Sequence, residues 1–90
     1  MSTIFHVSWS APTPDVTGVV IQLDINGAGY VDYNSVAPTP TTKDVTVTAP
    51  SGAPVGVRCI FVNALGRSAP SNEVVVHMPD VPAAPVITVT

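Results

Sequence analysis

The stretch Val55-Gly56-Val57-Arg58-Cys59-Ile60-Phe61-Val62-Asn63 decides the fold. Val55, Val57, Cys59 and Phe61 recur at every second position, the period that puts side chains on one face of a β-strand. Gly56, Arg58, Ile60 and Val62 fall on the other face, and no helical period competes. Just upstream, Pro50-Ser51-Gly52 turns the chain, and residues 44–48 alternate Val45 and Val47 with Thr46 and Thr48, β-branched throughout and so a strand. Downstream, residues 63–71 form a loop closed by Pro70, and residues 73–78 form a further strand. Farther out the pattern persists. Residues 5–10 set Phe5, Val7 and Trp9 against His6, Ser8 and Ser10, a strand stopped by Pro12 and Pro14, which remove ladder donors. Residues 18–25 form a strand whose run Val19-Val20-Ile21 implies burial on both faces. Asn26-Gly27 supplies the positive φ angles of a tight hairpin turn before a short strand at residues 30–33. Residues 37–42, with Pro38 and Pro40, are extended loop. Six short strands separated by turn signals, in a chain with 10 prolines, indicate an all-β sandwich.

Composition narrows the rest. Ninety residues make one domain. Apolar residues are 46% of the chain and charged residues only 10%, against about 25% in ordinary domains. Six acids outnumber Lys43, Arg58 and Arg67, so no basic stripe exists for nucleic acid. No apolar run reaches the roughly 18 residues of a membrane span. The start, MSTIFHVSWS, has neither a basic segment nor an apolar core of secretory type, so a classical secretory route is not expected. The single Cys59 forms no internal disulfide and reads as a small buried hydrophobe.

Two segments resemble a fibronectin type III module. Val7-Ser8-Trp9-Ser10-Ala11-Pro12 is similar to the V-x-W-x-x-P run on that family's B strand. Residues 55–63, followed by Gly66-Arg67-Ser68-Ala69-Pro70-Ser71, are similar to its F strand and the G-x-S-x-P-S segment after it. The resemblance covers roughly residues 5–78 and implies a fibronectin type III or immunoglobulin-like β-sandwich. Three departures stand out. Val55 occupies the family's strand-F tyrosine position, so the tyrosine corner is not expected. No Arg-Gly-Asp is present, so integrin binding does not carry over. The first strand corresponds to strand B, so an N-terminal A strand is lacking, while residues 81–90, Val-Pro-Ala-Ala-Pro-Val-Ile-Thr-Val-Thr, look like a linker and an A strand. The expected organisation is a sandwich over residues 1–80 and a Pro-rich linker with a C-terminal strand over 81–90.

No catalytic, cofactor-binding or metal-ligating pattern is found: no Gly-x-Ser-x-Gly, His-Glu-x-x-His, phosphate-binding glycine loop or Cys-x-x-Cys. His6 and His77 fall on solvent faces. Asp24, Asp32 and Asp44 lack the ligand spacing of a calcium loop. Trp9, in phase with Phe5 and Val7, reads as core rather than as a binding platform. Tyr30 and Tyr33 read equally as contact anchors on the rim or as ordinary rim packing. Ile60 and Val62, with Val20, make an apolar outer stripe that is either covered by a partner or simply scattered exposed apolar surface. Val86, Ile87, Thr88 and Val89 are expected to pair with another chain, with self-completion and a disordered tail as competing outcomes.

The expectation is therefore a non-catalytic assembly protein acting through protein–protein contacts, with a homo-oligomer or a larger virion protein as partner. By resemblance it is an accessory protein of a tailed-phage virion, on the capsid or the tail, made in the host cytoplasm. The alternative is a fibronectin type III spacer or binding module of a larger extracellular bacterial protein.

Overall fold

The computed structural model describes residues 2–79 and 86–89. Strands follow one another as β1 (Ser2–Ser8), β2 (Gly18–Ile25), β3 (Tyr30–Val36), β4 (Thr42–Thr48), β5 (Pro54–Asn63), β6 (Gly66–Arg67) and β7 (Val74–His77). All pairings are antiparallel and fall in two sheets. One contains β1 and β4; the other runs β3-β2-β5, with β6 and β7 sharing the far edge of β5. The all-β architecture expected from the alternation is present, with β6 as an addition inside the segment read as loop. The hairpin at Asn26-Gly27 is also as read: φ is 56° and 79° at these residues, and the Ala28 N–H donates to the Ile25 carbonyl at 3.2 Å.

The core lies between the sheets. Phe5 and Val7 of β1 and Val45 and Val47 of β4 face Val19, Ile21 and Leu23 of β2 and Val55, Val57 and Cys59 of β5. Those of β1, β4 and β5 sit at the alternate positions that the sequence pattern assigned to one face. The continuous run of β2 is buried on both faces, as expected: Val19, Val20, Ile21, Gln22 and Leu23 are all buried. Trp9 departs in degree. It follows the end of β1, is only partly buried against the core, and its Nε1–H donates to the Pro38 carbonyl at 3.2 Å. The indole has a polar edge that needs an acceptor, which a rim position beside a loop carbonyl supplies and the middle of an apolar core does not.

The two flanks of the sandwich differ. On the flank between β3 and β4, a bulge in the β2–β3 ladder at Ile21 and Gln22 leaves Tyr33 as the extra residue. Bulges re-aim side chains. Here the Tyr33 hydroxyl reaches across to the other sheet and donates to the Thr46 carbonyl at 2.5 Å, closing that flank. On the flank between β1 and β7, no described strand pairs with the outer edge of β1.

Candidate functional site

The open flank is the feature that the rest of the fold leaves unexplained. Val74 and Val76 stand directly opposite Val57 and Val55, and directly opposed residues share a face, so both valines point inward. They are nevertheless 52% and 39% exposed. The neighbouring core residues show the same deficit in weaker form: Phe5, Val7, Val57 and Cys59, at 7–9%, are more exposed than Val19, Ile21, Leu23, Val47 and Val55, at 0%. All six residues line one cavity of about 450 Å³ between β1 and β7. A second hollow, of about 500 Å³, lies between Trp9 and the 68–72 segment. The two share Ser8, Cys59, Ser71 and Asn72, so they form one trough along β1.

One wall of the trough is a strand edge. The Trp9 N–H donates to the Thr41 carbonyl at 3.0 Å, which fixes the parity of the β1–β4 ladder. Antiparallel strands turn alternate residues toward each neighbour. Val7, Phe5 and Thr3 therefore direct their main-chain groups to β4, and Ile4, His6 and Ser8 direct theirs into the trough. The opposite wall is built by two serines. The Ser71 and Ser68 hydroxyls accept from the Cys59 and Phe61 N–H groups at 2.9 and 3.0 Å, while the Ser71 and Ser68 N–H groups each donate to the carbonyls of those residues at 2.8 Å. Pro70 has no N–H to lend to a regular ladder, and hydroxyl acceptors hold this bowed segment against β5 instead. The Ser-x-Pro-Ser pattern carried this signal in the sequence; the inward phase of Val74, Val76 and Met78 carried the other half.

The remaining sequence-derived candidates lie elsewhere. Ile60 and Val20 are paired across β5 and β2 and are buried by the chain itself, and Val62 is partly buried. The exposed apolar stripe expected of them is corrected accordingly. Arg67, which sits opposite Val62, reaches Asp32 with a bidentate pair of bonds at 3.0 and 2.7 Å, so its stem crosses the Ile60–Val20 level. Asp32 also accepts from Gln22 at 2.9 Å, and Gln22 accepts from Arg58 at 2.8 Å. Hydrogen bonds from Arg67 and Gln22 hold the Asp32 carboxyl at about 2. Tyr30 belongs to the same face: its ring lies 3.9 Å from the Arg58 guanidinium carbon and its hydroxyl donates to Glu73 at 2.5 Å. Burial first, then the Glu73 bond, pushes the Tyr30 phenol up to about 12. Tyr30 and Tyr33 are thus both engaged within the chain, though Tyr33 keeps an exposed ring.

Val86, Ile87 and Val89 are 95%, 81% and 87% exposed, Thr88 is exposed as well, and none of the four lies in a strand. Residues 81–85, read as the linker, lie outside the described residues. Burial raises the Cys59 thiol. His6 pairs with Asp44 at 2.7 Å on an open surface. Among the described residues, no group of three or more His, Cys, Asp or Glu is arranged to hold a metal ion. In comparison with known proteins, no family model, curated protein or solved structure matches the chain.

Proposed function

We propose that this chain is a non-catalytic assembly protein, a fibronectin type III-like sandwich that works through protein–protein contacts at its open flank. The observation that carries the reading is the pair of inward-facing valines, Val74 and Val76, left half-exposed beside a strand edge that no described strand pairs. Apolar surface of this kind, rimmed by main-chain donors and acceptors, is the recognition chemistry of strand addition. The fold type is supported by the pairing order. In an immunoglobulin-like sandwich strands B and E share one sheet with A, and C, F and G share the other. β1 and β4 match B and E; β2, β5 and β7 match C, F and G; the A position coincides with the trough.

The setting we propose is a tailed-phage virion, as a capsid-decorating or tail-associated accessory protein. It rests on the resemblance noted above and on a low-charge, proline- and threonine-rich chain without a catalytic pattern. Mass spectrometry of purified particles from the source tests it: the protein is expected in stoichiometric amounts with the particle. Recovery instead as part of a longer secreted polypeptide would favour the spacer module, a reading supported by the linker-like Val81-Pro82-Ala83-Ala84-Pro85 ahead of a second strand-like segment.

A further inference from the structure

We infer that the trough along β1 is filled by residues 86–89 of a second copy of this chain, which lie antiparallel to β1 and complete its sheet. The inference rests on the assembly reading and names its partner. Both halves of the contact are on the same molecule. The acceptor offers main-chain groups of Ile4, His6 and Ser8 along one edge and an apolar floor of Phe5, Val7, Val57, Cys59, Val74 and Val76. The donor segment, Val86-Ile87-Thr88-Val89, is β-branched throughout and exposed along its length. Its alternation puts Ile87 and Val89 on one face, for the floor, and Val86 and Thr88 on the other.

Chain geometry favours a second copy over self-completion. β7 ends where β1 begins: Ser2 is in register with Thr48, and the Met78 N–H donates to the Ala53 carbonyl at 2.8 Å, just beyond the same β4–β5 turn. The Pro79 carbonyl is pinned there too, accepting from the Ser51 hydroxyl at 3.1 Å and the Gly52 N–H at 3.3 Å. An antiparallel strand that lays Ile87 and Val89 over Val7 and Phe5, the β1 residues of the floor, places Val86 opposite Ser8 and so enters from the opposite end. The seven residues of β1 span roughly 23 Å. The eight steps from Met78 to Val86 reach at most about 26–29 Å when fully extended. At the polyproline rise of about 3.1 Å per residue, which prolines favour, eight steps would reach only about 25 Å, leaving almost nothing for crossing from one sheet to the other. Parallel self-insertion avoids the climb but gives the weaker ladder. A neighbour's segment has neither restriction.

Sedimentation velocity of the full chain from micromolar to millimolar concentration, beside the full-length double variant Ile87→Asp/Val89→Asp, tests the inference. Both residues are exposed, so the variant keeps a foldable sandwich. The wild type is expected to self-associate, and the variant to be weakened at least a hundredfold, since each buried aliphatic side chain contributes roughly ten- to hundredfold. A labelled peptide of residues 81–90 is then expected to bind the variant, whose trough is empty, and to slow Cys59 modification; a scrambled peptide is not. Undiminished association of the variant would overturn the strand insertion while leaving an assembly function standing. A wild type that stays monomeric overturns the inference in either of two ways: a melting temperature above the variant's means that the segment fills its own trough, and an equal one means that it fills none.

Discussion

Replacing Trp9 separates the two things the indole does. It covers part of the core, and its Nε1–H holds the Pro38 carbonyl in the loop that crosses from β3 in one sheet to β4 in the other. Trp9→Phe keeps most of the apolar contact and removes the bond. A net hydrogen bond contributes about 1 kcal/mol, and leaving the carbonyl near solvent avoids a larger penalty. Trp9→Ala removes both. Truncating a fully buried Trp costs about 3–5 kcal/mol, and partial burial places this one at about 3 kcal/mol. At roughly 4–8 °C per kcal/mol for a domain of this size, the melting temperature should fall by about 4–8 °C in the Phe variant and about 12–24 °C in the Ala variant. Thermal melts followed by far-UV circular dichroism measure both. The fluorescence of this single tryptophan adds an independent reading, with emission intermediate between buried and free indole and partial quenching by acrylamide. Equal melting of all three proteins would refute the contact. A Phe variant as damaged as the Ala variant would show that the bond to Pro38, rather than cover of the core, dominates.

A Cβ added to Gly56 would press on Tyr30, meeting its Cζ at 3.1 Å and the Asp24 Cβ at 3.4 Å. Gly56→Ala should therefore cost about 1–3 kcal/mol through overpacking, and Tyr30→Ala in the same chain should recover part of it; a melting curve unmoved by Gly56→Ala would show that the ring does not lie there. The native Asp32 carboxyl, at about 2, lies below its unfolded value of about 3.9, so its contribution is complete above pH 4 and is lost as pH falls toward 2. Melting temperatures between pH 5 and 2 should fall more steeply for wild type than for Asp32→Asn, with the difference shrinking in high salt because both partners are half-exposed; parallel curves would count against the Arg67 pair. Cys59→Val should fold with a melting temperature within a few degrees of wild type, and the native thiol should react slowly with a disulfide reagent, since burial raises its pKa; fast modification would contradict the inward placement.

The fold was legible because its signals are local. Alternation in residues 55–63, the Asn26-Gly27 turn and the proline breaks each fix backbone geometry within a few residues. The trough was only half legible. An open position beside the first strand was expected from the resemblance of residues 7–12 to a strand B, but the identity of the trough's floor depends on which strands become neighbours, which no local period records. Ile60 shows the converse limit. Its phase placed it correctly on the outer face, but it is buried there, and the Arg67–Asp32 pair that spans the same face joins residues 35 apart in sequence. Tyr33 likewise required a bulge, a displacement of register that the sequence of β3 does not announce.

The tyrosine closure of the β3–β4 flank bears on the valence that strand insertion would give the molecule. On the inferred strand insertion, and with Tyr33 bonded across the other flank, each copy would carry one acceptor trough and, in residues 86–89, one donor segment. A unit with one of each has two bonds to make, so it forms reciprocal pairs, closed rings or unbranched chains and never a branched network. Which of these forms is then a question of the angle between successive copies and of the reach of the residues before Val86. A shorter connection would bias growth toward the open chain and a longer one toward the reciprocal pair.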